Sequence, residues 1–130
     1  MLHIREEQMA VFQQQAEINF IDSVVEHLRT EFAEVVKDIP DDKLHKRVEY
    51  GIQRAREYGL TWKNDLNAFV TLMFEIAPDF DRFPVFRNYL TDECVSPNER
   101  MGVLLRETTE VDWQNAQQAP SPNNWPEEML

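Results

Sequence analysis

Apolar residues recur at spacings of three and four along most of this chain, and only three glycines interrupt them (Gly51, Gly59 and Gly102). A period near 3.6 builds helices that each bury one stripe, whereas a β protein needs denser turn punctuation. The expected fold is therefore all-α: a single compact bundle of about five helices with a long N-terminal helix and a proline-rich C-terminal tail. Met9, Phe12, Ala16, Phe20, Val24, Leu28 and Phe32 form one stripe and place a helix over about 5–36. Strict spacing by four drifts around a straight helix, so a bend or break is expected near 18–20. Asp41 and Asp42 offer N-caps to a second helix with the stripe Leu44, Val48, Ile52 and Ala55, and Gly59 suits its left-handed C-cap. Gly51 lies inside that helix, where glycine costs about 1 kcal/mol relative to alanine. Close approach of another helix, the long first one, is the expected reason.

Thr61 is positioned to cap a third helix carrying Leu66, Phe69, Val70, Met73 and Phe74, which Pro78 stops. An aromatic loop, 79–86, leads into a short helix over about 84–91. Ser96-Pro97-Asn98-Glu99 reads as a helix start with a capping box, and the last helix is expected to run through Met101, Leu104, Leu105 and Thr108 to about Ala116. Pro120, Pro122 and Pro126 forbid a regular element beyond it. The domain organisation expected is one helical domain, 1–118, and a flexible tail, 119–130. Eight phenylalanines, three tyrosines and three tryptophans supply the core. At about 1.5–3 kcal/mol per buried large side chain, they can oppose the chain entropy without metal or disulfide.

Charge narrows the partners. Twenty-four acidic side chains against 13 basic ones leave the chain at −11. A phosphate backbone or an anionic membrane surface would be repelled, so no nucleic acid and no membrane is expected as a partner, whereas a basic protein fits. The excess is uneven: residues 1–63 hold 12 acids and 9 bases, residues 64–130 hold 12 acids and 4 bases. One cysteine, Cys94, excludes an internal disulfide and a multi-cysteine zinc site. No apolar run approaches the roughly 20 residues of a membrane span, and Met1–Glu7 carries charge on both sides of Ile4 with no signal-peptide hydrophobic region. A cytoplasmic location is the expectation.

The familiar catalytic spacings are missing. There is no glycine-rich phosphate loop, no Gly-x-Ser-x-Gly, no His-Glu-x-x-His and no EF-hand pattern. Asp42 and His45 have the spacing of half a helical metal site, but a di-metal bundle needs two such pairs and further carboxylates. Glu75, Asp79 and Asp81 form an acidic group beside a turn, where charged residues are usually solvated, and no further group accompanies them to set an acid–base pair apart. Cys94 follows Asp92-Glu93, which makes it a poor nucleophile. No catalytic residue, cofactor or metal ligand is expected, and the chain does not read as an enzyme.

The aromatic loop carries the most information. Phe80, Phe83 and Phe86 lie three apart, with Tyr89 three further on. These rings either close the core or form an anchor surface, with Asp79, Asp81 and Arg82 as its polar rim. Trp125, in the tail, either docks back on its own domain or serves a partner as an extended ligand. The candidate partner-binding residues are Asp79, Asp81, Phe83, Phe86 and Trp125.

Six segments follow one another along the chain: Ile4-Arg5-Glu6-Glu7-Gln8-Met9, His27-Leu28-Arg29 with Phe32, Gly51-Ile52 through Arg54-Ala55 to Tyr58-Gly59-Leu60, Leu72-Met73-Phe74, Asp79-Phe80-Asp81 and Arg100-Met101. In that arrangement, over about 4–105, the chain resembles a group of small bacterial proteins encoded beside type VI secretion spike, PAAR-repeat and effector genes. Many members carry a tryptophan after the Asp-Phe-Asp loop, where this chain has Phe86. The resemblance implies a setting and a protein partner, an effector, toxin or spike component, and no catalytic residues. The expected function is that of a non-catalytic accessory factor, an adaptor or chaperone. The alternative is an immunity protein whose acidic surface neutralises a basic toxin in the cytoplasm.

Overall fold

Helix formation follows the spacing of three and four closely. The computed structural model describes residues 6–118 and 125–126, and its described residues contain seven α-helices, one 3-10 turn and no strand. α1 runs Glu6–Glu31, α2 Ala33–Val36, α3 Asp41–Glu57, α4 Lys63–Glu75, α5 Pro84–Leu90, α6 Pro97–Glu107 and α7 Glu110–Gln118, and the 3-10 turn, Phe80–Arg82, precedes α5. Seven helices replace the five expected because two expected helices are each split. Apart from Trp125 and Pro126, the tail expected over 119–130 lies outside the described residues. Among the described residues no helix is long and apolar enough to cross a membrane.

The first split is at Phe32, not near 18–20. Phe32 leaves helical geometry (φ −128°, ψ 38°), and its ring packs edge-on against His27 at 5.7 Å. Arg29 holds the break: Nη1 donates to the Val36 carbonyl and Nη2 to the Ile39 carbonyl, both at 2.6 Å, and Nη2 also reaches Asp41 Oδ1 at 2.8 Å. One guanidinium thus binds two carbonyls at the end of α2, of which that of Val36 also accepts the Ile39 N–H. Among the described side chains of α1, burial begins towards its second half. Val24, Val25 and Leu28 are buried and Phe20 and Ile21 partly so, while Ala16, Ile18 and Val11 are exposed.

α3 buries the expected stripe, Leu44, Val48, Ile52 and Ala55, against α4 and α1. Its C-terminus is a Schellman motif: Gly59 N–H bonds to the Arg56 carbonyl, Leu60 N–H to the Ala55 carbonyl, and Gly59 has φ +87°. Asp41 and Asp42 are not caps. Pro40 takes the N-cap position, and both carboxylates sit in the first turn, where the helix dipole favours them. Gly51 answers to α4 rather than α1. A Cβ there would stand 3.0 Å from Met73 Sδ and 3.0 Å from Val70 Cγ2. Val70 is buried and stiff at χ1, so it yields poorly. Gly51→Ala should therefore lower stability by about 1 kcal/mol in urea unfolding, despite alanine's better helix propensity.

His45 ties α3 to α1. Its Nδ1 faces the Asp41 carbonyl at 2.8 Å and its Nε2 faces Asp22 Oδ1 at 2.9 Å. Both partners are acceptors, so the imidazolium, with two donors, suits them best. The Asp41 carbonyl, aided by Asp22 and opposed by partial burial, holds the His45 pKa above its ordinary 6.5. A raised folded-state pKa gives stability that is fully present below the unfolded pKa and lost as the pH climbs through the folded value. The side chain is 42% exposed, so the gain is about 0.5 kcal/mol. His45→Gln should remove that part of the pH dependence of unfolding between about pH 5.5 and 8.

The second split follows α6. Ser96 occupies the N-cap position of α6 and Pro97 its first turn, but the Ser96 and Glu99 side chains form no capping box. Thr61 likewise does not cap α4. Trp62 holds the N-cap position, and Asn98 Oδ1 from α6 accepts the Thr61 and Trp62 N–H groups at 3.0 and 3.3 Å. A reciprocal box forms instead at Thr109 and Asp112: Thr109 N–H donates to Asp112 Oδ2 and Asp112 N–H to Thr109 Oγ1. That box opens α7 and divides the expected last helix. Arg100 braces the α5–α6 connection through the Leu90, Asp92 and Val95 carbonyls. α7 returns to α4, where Gln117 Nε2 donates to the Glu75 carbonyl.

Candidate functional site

The core stripe of α3 leaves a second stripe facing outward. Tyr50, Gln53, Arg54 and Glu57, with Tyr58 at the C-cap, follow one another at spacings of three, one, three and one along one side of the helix. Opposite them stand Asp81 and Arg82 of the 3-10 turn and Arg87 of α5. Together these residues line a cleft of about 270 Å³.

Aromatic packing positions the far wall. Phe80 is fully buried, 5.0 Å from Phe69 and 5.6 Å from Phe86 between ring centres, and Phe69 meets Tyr58 at 5.9 Å. With Phe80 pinned inward, its neighbour Asp81 is brought against α3. Asp81 is 1% exposed. Its Oδ2 accepts from Arg54 Nε at 2.8 Å and from the Tyr58 hydroxyl at 2.7 Å, and Arg54 Nη1 donates to the Tyr50 hydroxyl at 3.2 Å. Asp81 Oδ1 has no hydrogen-bond partner among the described residues.

The electrostatics are those of a braced binding wall. Burial pushes the Tyr58 phenol up to about 12, and its hydrogen bond to Asp81 adds to that, so it remains a donor at neutral pH. Burial works against the Arg54 charge, and Asp81 and Tyr50 override it, raising its pKa further. Arg82 and Arg87 are exposed, and their guanidinium groups have no hydrogen-bond or ion-pair partner among the described residues. Two of the four bases in residues 64–130 therefore border this one cleft. Among the described residues no group of three His, Cys, Asp or Glu side chains is placed to hold a metal.

Trp125 lies beside the cleft. Its indole packs on Phe74 at 4.8 Å and edge-on against Tyr50 at 6.3 Å, with the Arg47 guanidinium over the ring at 5.4 Å. Tyr50 thus joins the two features, its ring touching Trp125 and its hydroxyl bound to Arg54.

The five residues expected at a partner surface divide accordingly. Asp81 belongs to the cleft as a buried ion-pair member, not as a solvated rim. Phe86 is a core residue with no exposed surface, because Phe80 and the α5–α6 layer enclose it. Asp79 and Phe83 are half-buried on either side of the turn, and Phe83 packs against the core. Trp125 docks on its own domain. Sequence reasoning missed Tyr50, Arg54, Tyr58, Arg87, Arg47 and Phe74 as members of the site. The signal was the second stripe of α3, polar and aromatic at helical spacing.

No family model, no curated protein and no solved structure matches this chain.

Proposed function

We propose that this chain is a non-catalytic protein-binding accessory factor, an adaptor or chaperone for a type VI secretion effector or spike component. The observation that carries the protein-binding part is the seating of Trp125: an aromatic side chain from an irregular segment lies on an aromatic–arginine surface of the bundle. Surfaces that hold aromatic anchors of extended segments are a recurring mode of peptide recognition. The cleft beside it supports binding over proton transfer, since its buried carboxylate is tied to Arg54 and Tyr58 and its phenol stays protonated. The secretion setting is supported by the resemblance over about 4–105.

The test is co-expression with the effector and spike proteins encoded beside the gene, followed by size-exclusion chromatography. A stoichiometric complex, together with loss of effector secretion on deletion of the gene, is the expected outcome. Failure of every neighbouring product to co-elute would remove the adaptor reading. One observation favours a second reading: the acid excess of residues 64–130 suits occlusion of a basic toxin. In that case the bound toxin is inactive, and deletion sensitises cells to it without affecting secretion.

A further inference from the structure

We infer that the Trp125 seat and the adjoining arginine-lined cleft form one site for an extended partner segment carrying an aromatic side chain followed by carboxylates, and that the chain's own Trp125 competes for the aromatic part of it. The inference rests on the protein-binding reading above and names the chemistry of the partner.

The occupant already seated shows what the aromatic part accepts. Phe74 and Tyr50 take the indole by tilted and edge-on packing, and Arg47 covers it as a cation over a ring face. The second part follows from charge. In a chain of net −11, Arg82 and Arg87 stand exposed at the next cleft, beside an Arg54 already neutralised by Asp81. Guanidinium groups in such an arrangement recognise carboxylates in forked geometry. Tyr50 belongs to both parts, so a segment leaving the seat in that direction meets the arginines. The tail has the matching order in its sequence: Trp125-Pro126 is followed by Glu127-Glu128.

The tail is tethered through residues 119–124, three of them proline or serine between Ala119 and Asn123. A tether this short holds its ligand at an effective concentration of about millimolar, so a partner segment must outcompete it. The same tether makes the site weak towards stray aromatic peptides and responsive to a partner that supplies further contacts.

The experiment uses the full chain and, as probe, a fluorescein-labelled synthetic peptide with the sequence of residues 119–130. Fluorescence anisotropy should show the Trp125→Ala chain binding this peptide at least about tenfold more tightly than the unaltered chain, because the competing tail no longer fills the seat. Replacing the peptide's tryptophan by alanine should weaken that binding about tenfold, and Arg82→Glu with Arg87→Glu in the Trp125→Ala chain should weaken it by a similar factor and flatten its salt dependence. Equal affinity for the altered and unaltered chains, or indifference to the peptide's tryptophan, would overturn the inference. A second measurement needs no variant. In the natural chain labelled with 5-fluorotryptophan, about millimolar unlabelled peptide should move the Trp125 fluorine resonance to the position of a solvent-exposed indole; a resonance that stays in place overturns displacement. A negative result in both leaves the co-elution test of the adaptor reading standing. Peptide binding without any co-eluting neighbour would retain the site and discard the secretion partner.

Discussion

Arg54→Met should lower the unfolding free energy by about 3–5 kcal/mol, read as a fall in urea midpoint at unchanged slope. Asp81 is 1% exposed, and Arg54 is the cation bound to it. Methionine fills much of the aliphatic volume of arginine but leaves the carboxylate with Tyr58 as its remaining donor. An uncompensated buried charge is expensive because the interior cannot replace the water it has lost. The cost comes from stranding the carboxylate and is not the net worth of the pair. Arg54→Met combined with Asp81→Leu should therefore recover most of the loss, since exchanging a buried pair for apolar groups is often close to neutral. Tyr58→Phe removes one neutral donor to the same oxygen and should cost less, about 1–2 kcal/mol. A loss below about 1 kcal/mol for Arg54→Met would mean that water reaches Asp81 when the cation is gone.

Phe86→Ala should cost about 3–5 kcal/mol, the range for deleting a fully buried aromatic side chain. Phe86 has no exposed surface and packs on Phe80, which packs on Phe69, which in turn packs on Tyr58. The loss is structural at its origin but reaches the cleft, because Phe80 sets the position of Asp81. The Phe86→Ala and Arg54→Met costs should consequently fall short of adding, as expected for residues sharing one network. If Phe86 instead formed a partner surface, its replacement would spare the unfolding midpoint and weaken binding alone. Chemical denaturation of the two single variants and the double variant distinguishes these outcomes.

The aromatic loop shows where legibility ended. Phe80, Phe83 and Phe86, three residues apart, resemble one face of a helix, and from spacing alone that face could point inward or outward. The structure places a 3-10 turn at Phe80–Arg82 and begins α5 only at Pro84, so the three rings do not lie on one helix. Phe80 and Phe86 enter the core while Phe83 is half-buried. Asp81 looked solvated because charged residues at helix ends normally are. Its partner is 27 residues away on α3, a separation that no local pattern encodes. The division at Thr109 is different. Thr109-Glu110-Val111-Asp112 has the spacing of a capping box and was open to reading, but the continuing apolar periodicity masked it.

By itself the sequence determined the all-helical class, the core stripe of α3, the left-handed cap at Gly59 and the acidic charge. Each depends on neighbours within about one or two turns, where backbone preference and side-chain spacing act directly. Tertiary structure decided the rest. It chose α4 over α1 as the close neighbour of Gly51, paired Arg54 with Asp81, buried Phe86, left Val11, Ala16 and Ile18 of α1 exposed and set Trp125 on Tyr50 and Phe74. Those outcomes depend on which helix faces are brought together. A stripe specifies only that a face is to be buried; packing of the whole bundle selects the surface that covers it.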